Sequence, residues 1–226
     1  MKPQLLDLFN SEHSFDNFIT ISNKKVSEAL KNNNSQFTHI CGIKNSGKTH
    51  LLKSWVNEAC LLHKSTKYIN SLDSISENEI RNLATYYQYI AIDNIDSLNE
   101  VQQIELFDLF NSIKLSNRDN LLVTSSAFGF ENNQNIRNDL KTRILSGLNL
   151  HLISPDDNEI MQTLHLYILK EGITIADSEL NYMISRYTRN IGILINTIHK
   201  IADTAMLEHR NITIPLIKQV IACEYT

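Results

Sequence analysis

The chain is 226 residues long, 42% hydrophobic, with a net charge of −4. That length can bury one α/β core with a smaller appendage, or two compact domains. Its apolar runs fall short of a bilayer span and Met1-Lys2-Pro3-Gln4 lacks the apolar core of a secretory signal, which argues against a membrane protein and sets the expectation of a cytoplasmic one.

The acidic balance argues against a chain that coats nucleic acid, although it leaves a local DNA contact open. Cys41, Cys60 and Cys223 lie far apart without metal-ligand spacing and read as reduced thiols.

In chain order, a short tail precedes a strand expected over 37–41. Directly after it, Gly42-Ile43-Lys44-Asn45-Ser46-Gly47-Lys48-Thr49 fills every fixed position of the phosphate-binding pattern GxxxxGK[ST]. From Lys48 to Leu62 the residues Leu51, Leu52, Trp55, Val56, Ala59 and Leu62 carry helical spacing, so the motif stands between a strand and a helix as its chemistry requires. Backbone N–H groups of Asn45, Ser46, Gly47 and Lys48 would then face an anion at the positive end of the helix dipole. Lys48 would reach the β- and γ-phosphates of a nucleotide and Thr49 would offer its hydroxyl to Mg²⁺. The plain alternative is a glycine-rich turn beside a surface lysine.

Further strands are expected near 66–70, 88–93, 120–125 and 149–153. This alternation predicts a mainly parallel sheet with helices on both faces. Tyr89-Ile90-Ala91-Ile92-Asp93 is an apolar strand ending in an acid, placed to hold Mg²⁺ through water opposite Thr49. Asn94 follows where many ATPases carry a second acid; an amide can bind water but cannot act as a base. Asp96 reads as a loop or helix-start residue. Between the third and fourth strands, Val101, Ile104, Phe107, Phe110 and Ile113 recur along one helical face, read as core. At Ser154-Pro155-Asp156-Asp157 the pattern changes to successive helices, with Ser154 the expected cap and Pro155 in the first turn. Asp177 is the expected cap of a second helix, Asn190 to Glu208 carries a long amphipathic pattern, and Thr213-Ile214-Pro215 opens a last helix. The division expected is a tail over 1–14, an α/β domain over 15–154 and a helical domain over 155–226.

These motifs resemble the AAA+ ATPases of the DnaA branch, and within it the family of the DnaA regulatory inactivator Hda. Phe15-Asp16-Asn17-Phe18 resembles the entry segment over the nucleotide base, and Gly47-Lys48-Thr49-His50-Leu51-Leu52 the phosphate loop and helix start. Ile92-Asp93-Asn94-Ile95 resembles the Hda form of the acid strand. Leu121-Leu122-Val123-Thr124-Ser125-Ser126 resembles the sensor-one strand, with Ser126 where Asp is common. Leu140-Lys141-Thr142-Arg143-Ile144-Leu145 resembles the segment ending in the arginine finger. Gln4-Leu5-Leu6-Asp7-Leu8-Phe9 is similar to the motif that docks on the replicative sliding clamp, in an imperfect register at Asp7. In Arg189-Asn190-Ile191-Gly192-Ile193-Leu194, similar to the sensor-two segment, Gly192 occupies the arginine position and Arg189 is the nearest replacement, expected on a neighbouring helical face. No helix-turn-helix domain is expected after residue 226.

The resemblance implies an AAA+ module followed by an all-α lid, which binds ADP or ATP with Mg²⁺ through Phe18, Gly42, Asn45, Ser46, Gly47, Lys48, Thr49, His50 and Asp93. Thr49 and Asp93 would serve the metal. Gln4, Leu5, Leu8 and Phe9 would dock on the DNA polymerase III clamp, with DNA reached through the clamp. Arg143 would act in trans on ATP bound to DnaA, and Asn94 would hold water in a weak site of the chain's own; self-association stays open. A DnaC-like helicase loader, a small P-loop kinase and an adaptor without activity are the rival readings.

Overall fold

In a computed structural model, residues 13–18, 22–32, 35–71, 76, 78–116, 118–127 and 129–224 are described. Strands β1 (Phe37–Gly42), β2 (Thr66–Asn70), β3 (Tyr89–Asp93), β4 (Leu121–Ser126) and β5 (Leu148–Leu152) form one sheet in the order β2-β3-β4-β1-β5. Every neighbouring pair is parallel. A parallel sheet needs both faces covered, and strand alternation here supplies two apolar surfaces. Ile40, Ala91 and Val123 point to the face packed by α1 (Lys24–Lys31) and α2 (Lys48–Leu61), where Leu30, Leu51, Leu52 and Trp55 are buried. Ile90, Ile92 and Leu122 point to the other face, covered by α4 (Glu100–Leu115) and α5 (Asn138–Leu145) with the short α3 (Leu83–Tyr86).

The buried side of α4 differs from the one expected. Val101 is 59% exposed and Ile104 37%, whereas Gln103, Leu106, Leu109, Phe110 and Ile113 are buried. Gln103 takes an inward position because its amide has backbone partners: Nε2 donates to Leu98 O and Asn135 O, each at 3.0 Å, and Oε1 accepts from Arg137 N at 3.0 Å. A buried polar side chain so satisfied costs little, and it frees two apolar residues for the surface. Reciprocal bonds between Asn99 and Gln102 cap the helix start.

By its contacts the chain divides into a unit ending at Ser154 and a unit starting at Pro155. The second unit consists of α6 (Asp157–Glu171), α7 (Asp177–Arg186), α8 (Ile191–Leu207) and α9 (Ile214–Glu224), around a core that includes Leu164, Leu180, Met183, Leu194, Ile198, Ile201, Leu216 and Ile217. Two cap assignments need correction. Asp156, not Ser154, caps α6 by accepting from Glu159 N at 2.8 Å, so Pro155 lies outside the helix. Asp177 is the first helical residue of α7, behind Ala176, with its carboxylate 3.2 Å from His165 Nε2. Asn190 caps α8 through Ile193 N at 3.1 Å.

His39 of β1 is a polar residue inside the sheet sandwich, 3% exposed. Its Nδ1 lies 2.9 Å from Thr124 Oγ1 and its Nε2 3.0 Å from Ser126 Oγ. Since Ser126 Oγ donates to Ala127 O, it accepts from His39, which places the ring proton on Nε2 and makes Nδ1 the acceptor from Thr124. Burial first, and charge on His151 second, lower the His39 pKa from 6.5 to about 4. A histidine whose folded pKa lies below its unfolded one stabilises the fold fully above pH 6.5, and loses that contribution as pH falls toward 4. The loss amounts to about 3 kcal/mol at most. In urea unfolding at a series of pH values across this window, His39→Gln is expected to be less stable at pH 7 but to show a visibly shallower decline with acid. An identical slope in both proteins would contradict the assignment.

Candidate functional site

The phosphate-binding pattern lies at the carboxyl end of β1, where parallel sheets of this kind present their ligand crevices. Asn45 and Gly47 hold left-handed backbone, with φ of 65° and 97°. Gly47 is also the N-cap of α2 and, lacking a side chain, offers no cap to the first-turn N–H groups. A methyl group on Gly47 would come 2.6 Å from Phe18 Cε2, and one on Gly42 would come 2.6 Å from Ser46 Oγ. Ser46 Oγ is buried with no hydrogen-bond partner among the described residues. Lys48 Nζ folds back over the loop and donates to Gly42 O at 2.7 Å and Ile43 O at 2.9 Å. Burial lowers its pKa, while Asp93, Asp96 and Cys41 pull the opposite way.

Asp93 is 0% exposed, a carboxylate in the middle of the sheet's carboxyl edge. Its Oδ2 accepts from Thr49 Oγ1 at 2.5 Å and from Tyr68 O–H at 2.9 Å. Its Oδ1 accepts from the Ser125 hydroxyl and from Asn94 N, the latter at 3.1 Å. Four donors from α2, β2, β4 and the turn after β3 therefore meet one buried charge. Asn94 sits in left-handed backbone at φ 57°, and its amide Nδ2 donates to Asn70 Oδ1 at 3.0 Å. Ser71 fixes the same turn, donating to the carbonyls of Asp93 and Asn94. Asp96 accepts from Ala127 N at 3.1 Å, which gives it the loop role expected.

Beside the loop, His13 and Ser14 are bound to α2. Lys53 Nζ lies 3.5 Å from His13 Nε2, His13 Nδ1 3.3 Å from His50 Nδ1, and His50 Nε2 2.9 Å from Ser14 O. One set of tautomers satisfies the whole line, with Lys53 donating to His13, His13 to His50 and His50 to Ser14. The Phe18 ring centroid is 5.6 Å from that of His50, so these two side chains and Gly47 share one wall.

Gly42, Asn45, Ser46, Gly47, Lys48, Thr49, His50, Phe18 and Asp93 are thus neighbours, joined by Asn94 through the backbone next to Asp93. Sequence reasoning missed Tyr68, Asn70, Ser71 and Ser125; all four are polar residues at or near strand carboxyl ends, the signal that would have found them. Arg143 lies away from this cluster on α5, with its guanidinium carbon 5.8 Å from the Phe107 ring centroid. Among the described residues no carboxylate pairs with it. Arg189 precedes the cap of α8 instead of lying on a helical face, and binds Asp157 Oδ1 at 2.7 Å; Gly192 is in the first turn of α8. Gln4, Leu5, Leu8 and Phe9 lie outside the described residues.

Domain III of the replication initiation protein DnaA from Thermotoga maritima shares this fold at a TM-score of 0.76 and 21% identity, over 94% of this chain and 97% of that one. RuvB from Thermotoga maritima follows at 0.69 and 17%, over 95% and 73%. The sheet order, loop and helical unit define an AAA+ fold. Residues 156–221 match the family described as "Hda, lid domain". The chain is 27% identical to an uncharacterized protein of Haemophilus influenzae, over 92% of this chain and 93% of that protein. It is also 27% identical to the chromosomal replication initiator protein DnaA of Borrelia hermsii, over 93% of this chain and 47% of that protein. It spans about half the length of its DnaA relatives. The helical unit is thus similar to the lid domain of the Hda family, and the chain as a whole is similar to DnaA-like AAA+ proteins.

Gly47→Ala imposes both a positive φ on a residue with a Cβ and a clash with Phe18. A loss of roughly 1–3 kcal/mol is expected in urea unfolding. Adding Phe18→Ala removes the clash alone, so the pair should cost less than the sum of the two single changes. Strict additivity would contradict the contact.

Proposed function

We infer that the chain holds ADP or ATP with Mg²⁺ in its own site and regulates DnaA by completing the ATP site of that partner. The phosphates would lie against the amides of Asn45 to Lys48, and Lys48 Nζ would exchange the carbonyls of Gly42 and Ile43 for phosphate oxygens. The orphaned Ser46 hydroxyl and the uncapped start of α2 fit such an anion. Thr49 would meet the metal through its oxygen while its hydroxyl proton still points to Asp93; Mg²⁺, when bound, neutralises phosphate charge. Phe18 and His50, beside the loop, would pack against the base. One DnaA structure of the same fold, at 23% identity, is of the initiator bound to AMPPCP and single-stranded DNA, which agrees with a nucleotide in this type of site.

Two features favour a site that retains nucleotide over one that turns it over. Asn94 cannot take a proton from water, and its amide is tied to Asn70. By the family resemblance, Gly192 stands where the sensor-two segment carries an arginine, and Arg189 is paired with Asp157. ADP is the occupant this favours.

The observation that carries the regulatory reading is Arg143: an arginine without a carboxylate partner among the described residues, resting on an aromatic ring of α4. Its planar fork could stabilise charge on a transferred phosphoryl group in DnaA. Docking on the DNA-loaded clamp through Gln4, Leu5, Leu8 and Phe9 would bring the two proteins together, two apolar anchors carrying most of the binding. ATP bound to DnaA would then be hydrolysed and the initiator left in its ADP form.

Arg143→Ala should lower the stimulation of DnaA-bound ATP hydrolysis by about 100-fold or more while clamp binding is kept, and Arg143→Lys should not restore it, because a point charge lacks the fork. Full stimulation by either variant would reject the finger. Gln4→Ala should weaken clamp binding measured by surface plasmon resonance and leave nucleotide affinity unchanged; equal clamp affinity would reject the docking motif.

A further inference from the structure

Tyr68 is the one donor to Asp93 that comes from β2, and none of the motifs above uses it. Its hydroxyl shares Oδ2 with Thr49, at 2.9 Å against 2.5 Å for Thr49. On the opposite oxygen, Ser125 and Asn94 N are the donors. An ionised carboxylate offers about four acceptor sites, so the four donors fill them. A metal ion at Thr49 would accordingly reach Asp93 through the Thr49 hydroxyl, not by direct ligation. For such an outer-shell carboxylate the orientation of its plane is what matters, since it aims the oxygen that receives the Thr49 proton.

The Tyr68 ring is itself fixed. Lys53 Nζ stands 5.5 Å from its centroid, and the same ammonium is 3.5 Å from His13 Nε2. Strand β2 holds the tyrosine in register as well, with Tyr68 beside Ala91 and Asn70 beside Asp93. The phenol therefore approaches Oδ2 from a rigid frame on the side away from Ser125.

We propose that Tyr68 is a positioning residue of the metal side of this site: it orients Asp93, and through Asp93 it orients the Thr49 hydroxyl toward Mg²⁺. The proposal rests on the nucleotide reading given above. It also predicts a signature that packing alone does not produce. Tyr68→Phe keeps the ring, its contact with Lys53 and the strand, and removes a single hydroxyl. Without that donor, affinity for nucleotide in the presence of Mg²⁺ falls, and affinity in EDTA stays the same.

The test is titration of the full chain with a fluorescent ADP analogue, in Mg²⁺ and in EDTA, for the parent protein and Tyr68→Phe. The expected result is about a tenfold weaker Kd in Mg²⁺ for the variant, with the EDTA values equal. Unchanged or tighter Mg²⁺-dependent binding would overturn the positioning role, and so would an equal loss in both buffers, which marks a structural effect. Thr49→Val in parallel should abolish the Mg²⁺ advantage altogether. If the parent protein bound no ADP analogue in either buffer, the nucleotide reading itself would fall, and this inference with it.

Discussion

A fully buried carboxylate at the edge of a parallel sheet is the constraint around which the first unit is organised. Asp93 has no access to solvent, and an ionised group there is tolerable only when its oxygens are met by donors and opposite charge stands nearby. The donors come from Thr49 on α2, Tyr68 on β2, Ser125 on β4 and the Asn94 amide, and the ammonium of Lys48 supplies the charge. Each of those elements is thereby tied to one point. The same arrangement sets the loop: α2 begins at Gly47 in left-handed backbone, and Lys48 and Thr49 follow with one side chain on the loop carbonyls and the next on Asp93.

The sequence made the strands and the phosphate loop legible because both carry strong local signals. Buried parallel strands are short continuous apolar runs, and those expected near 66–70, 88–93 and 120–125 appear as Thr66–Asn70, Tyr89–Asp93 and Leu121–Ser126. The loop pattern fixes residue types at fixed spacing. Caps were less legible, since Ser154 and Asp156 are both suitable, and the chain uses whichever places its oxygen over the third amide ahead. The face of α4 was misread for a different reason. Periodicity ranks apolar residues, but Gln103 wins an inward place through three hydrogen bonds to backbone, two of them to Asn135 and Arg137 more than 30 residues away, which no local window contains. Tyr68 escaped notice likewise, because its partner is 25 residues away on the next strand.

The two basic residues that the family pattern brings to attention have different fates. Arg189 is spent on Asp157 within the helical unit, an exposed pair of small energetic weight that nevertheless occupies the guanidinium. Arg143 has an aromatic ring below it and no acid among the described residues. On the proposed function, a chain with a nucleotide loop, no acid directly after Asp93, and an arginine kept uncommitted on another helix would divide its labour: its own pocket would support shape, and its chemistry would be directed to a neighbour.

That division is tested most directly by following whose ATP is consumed. DnaA loaded with γ-³²P-labelled ATP is mixed with DNA-loaded clamp and with this chain preloaded with unlabelled ADP, and release of labelled phosphate is timed. The account predicts that ADP-loaded chain accelerates release from DnaA in a clamp-dependent way, with no label passing into its own site. Acceleration that vanished unless the chain itself carried and hydrolysed the labelled ATP would contradict it.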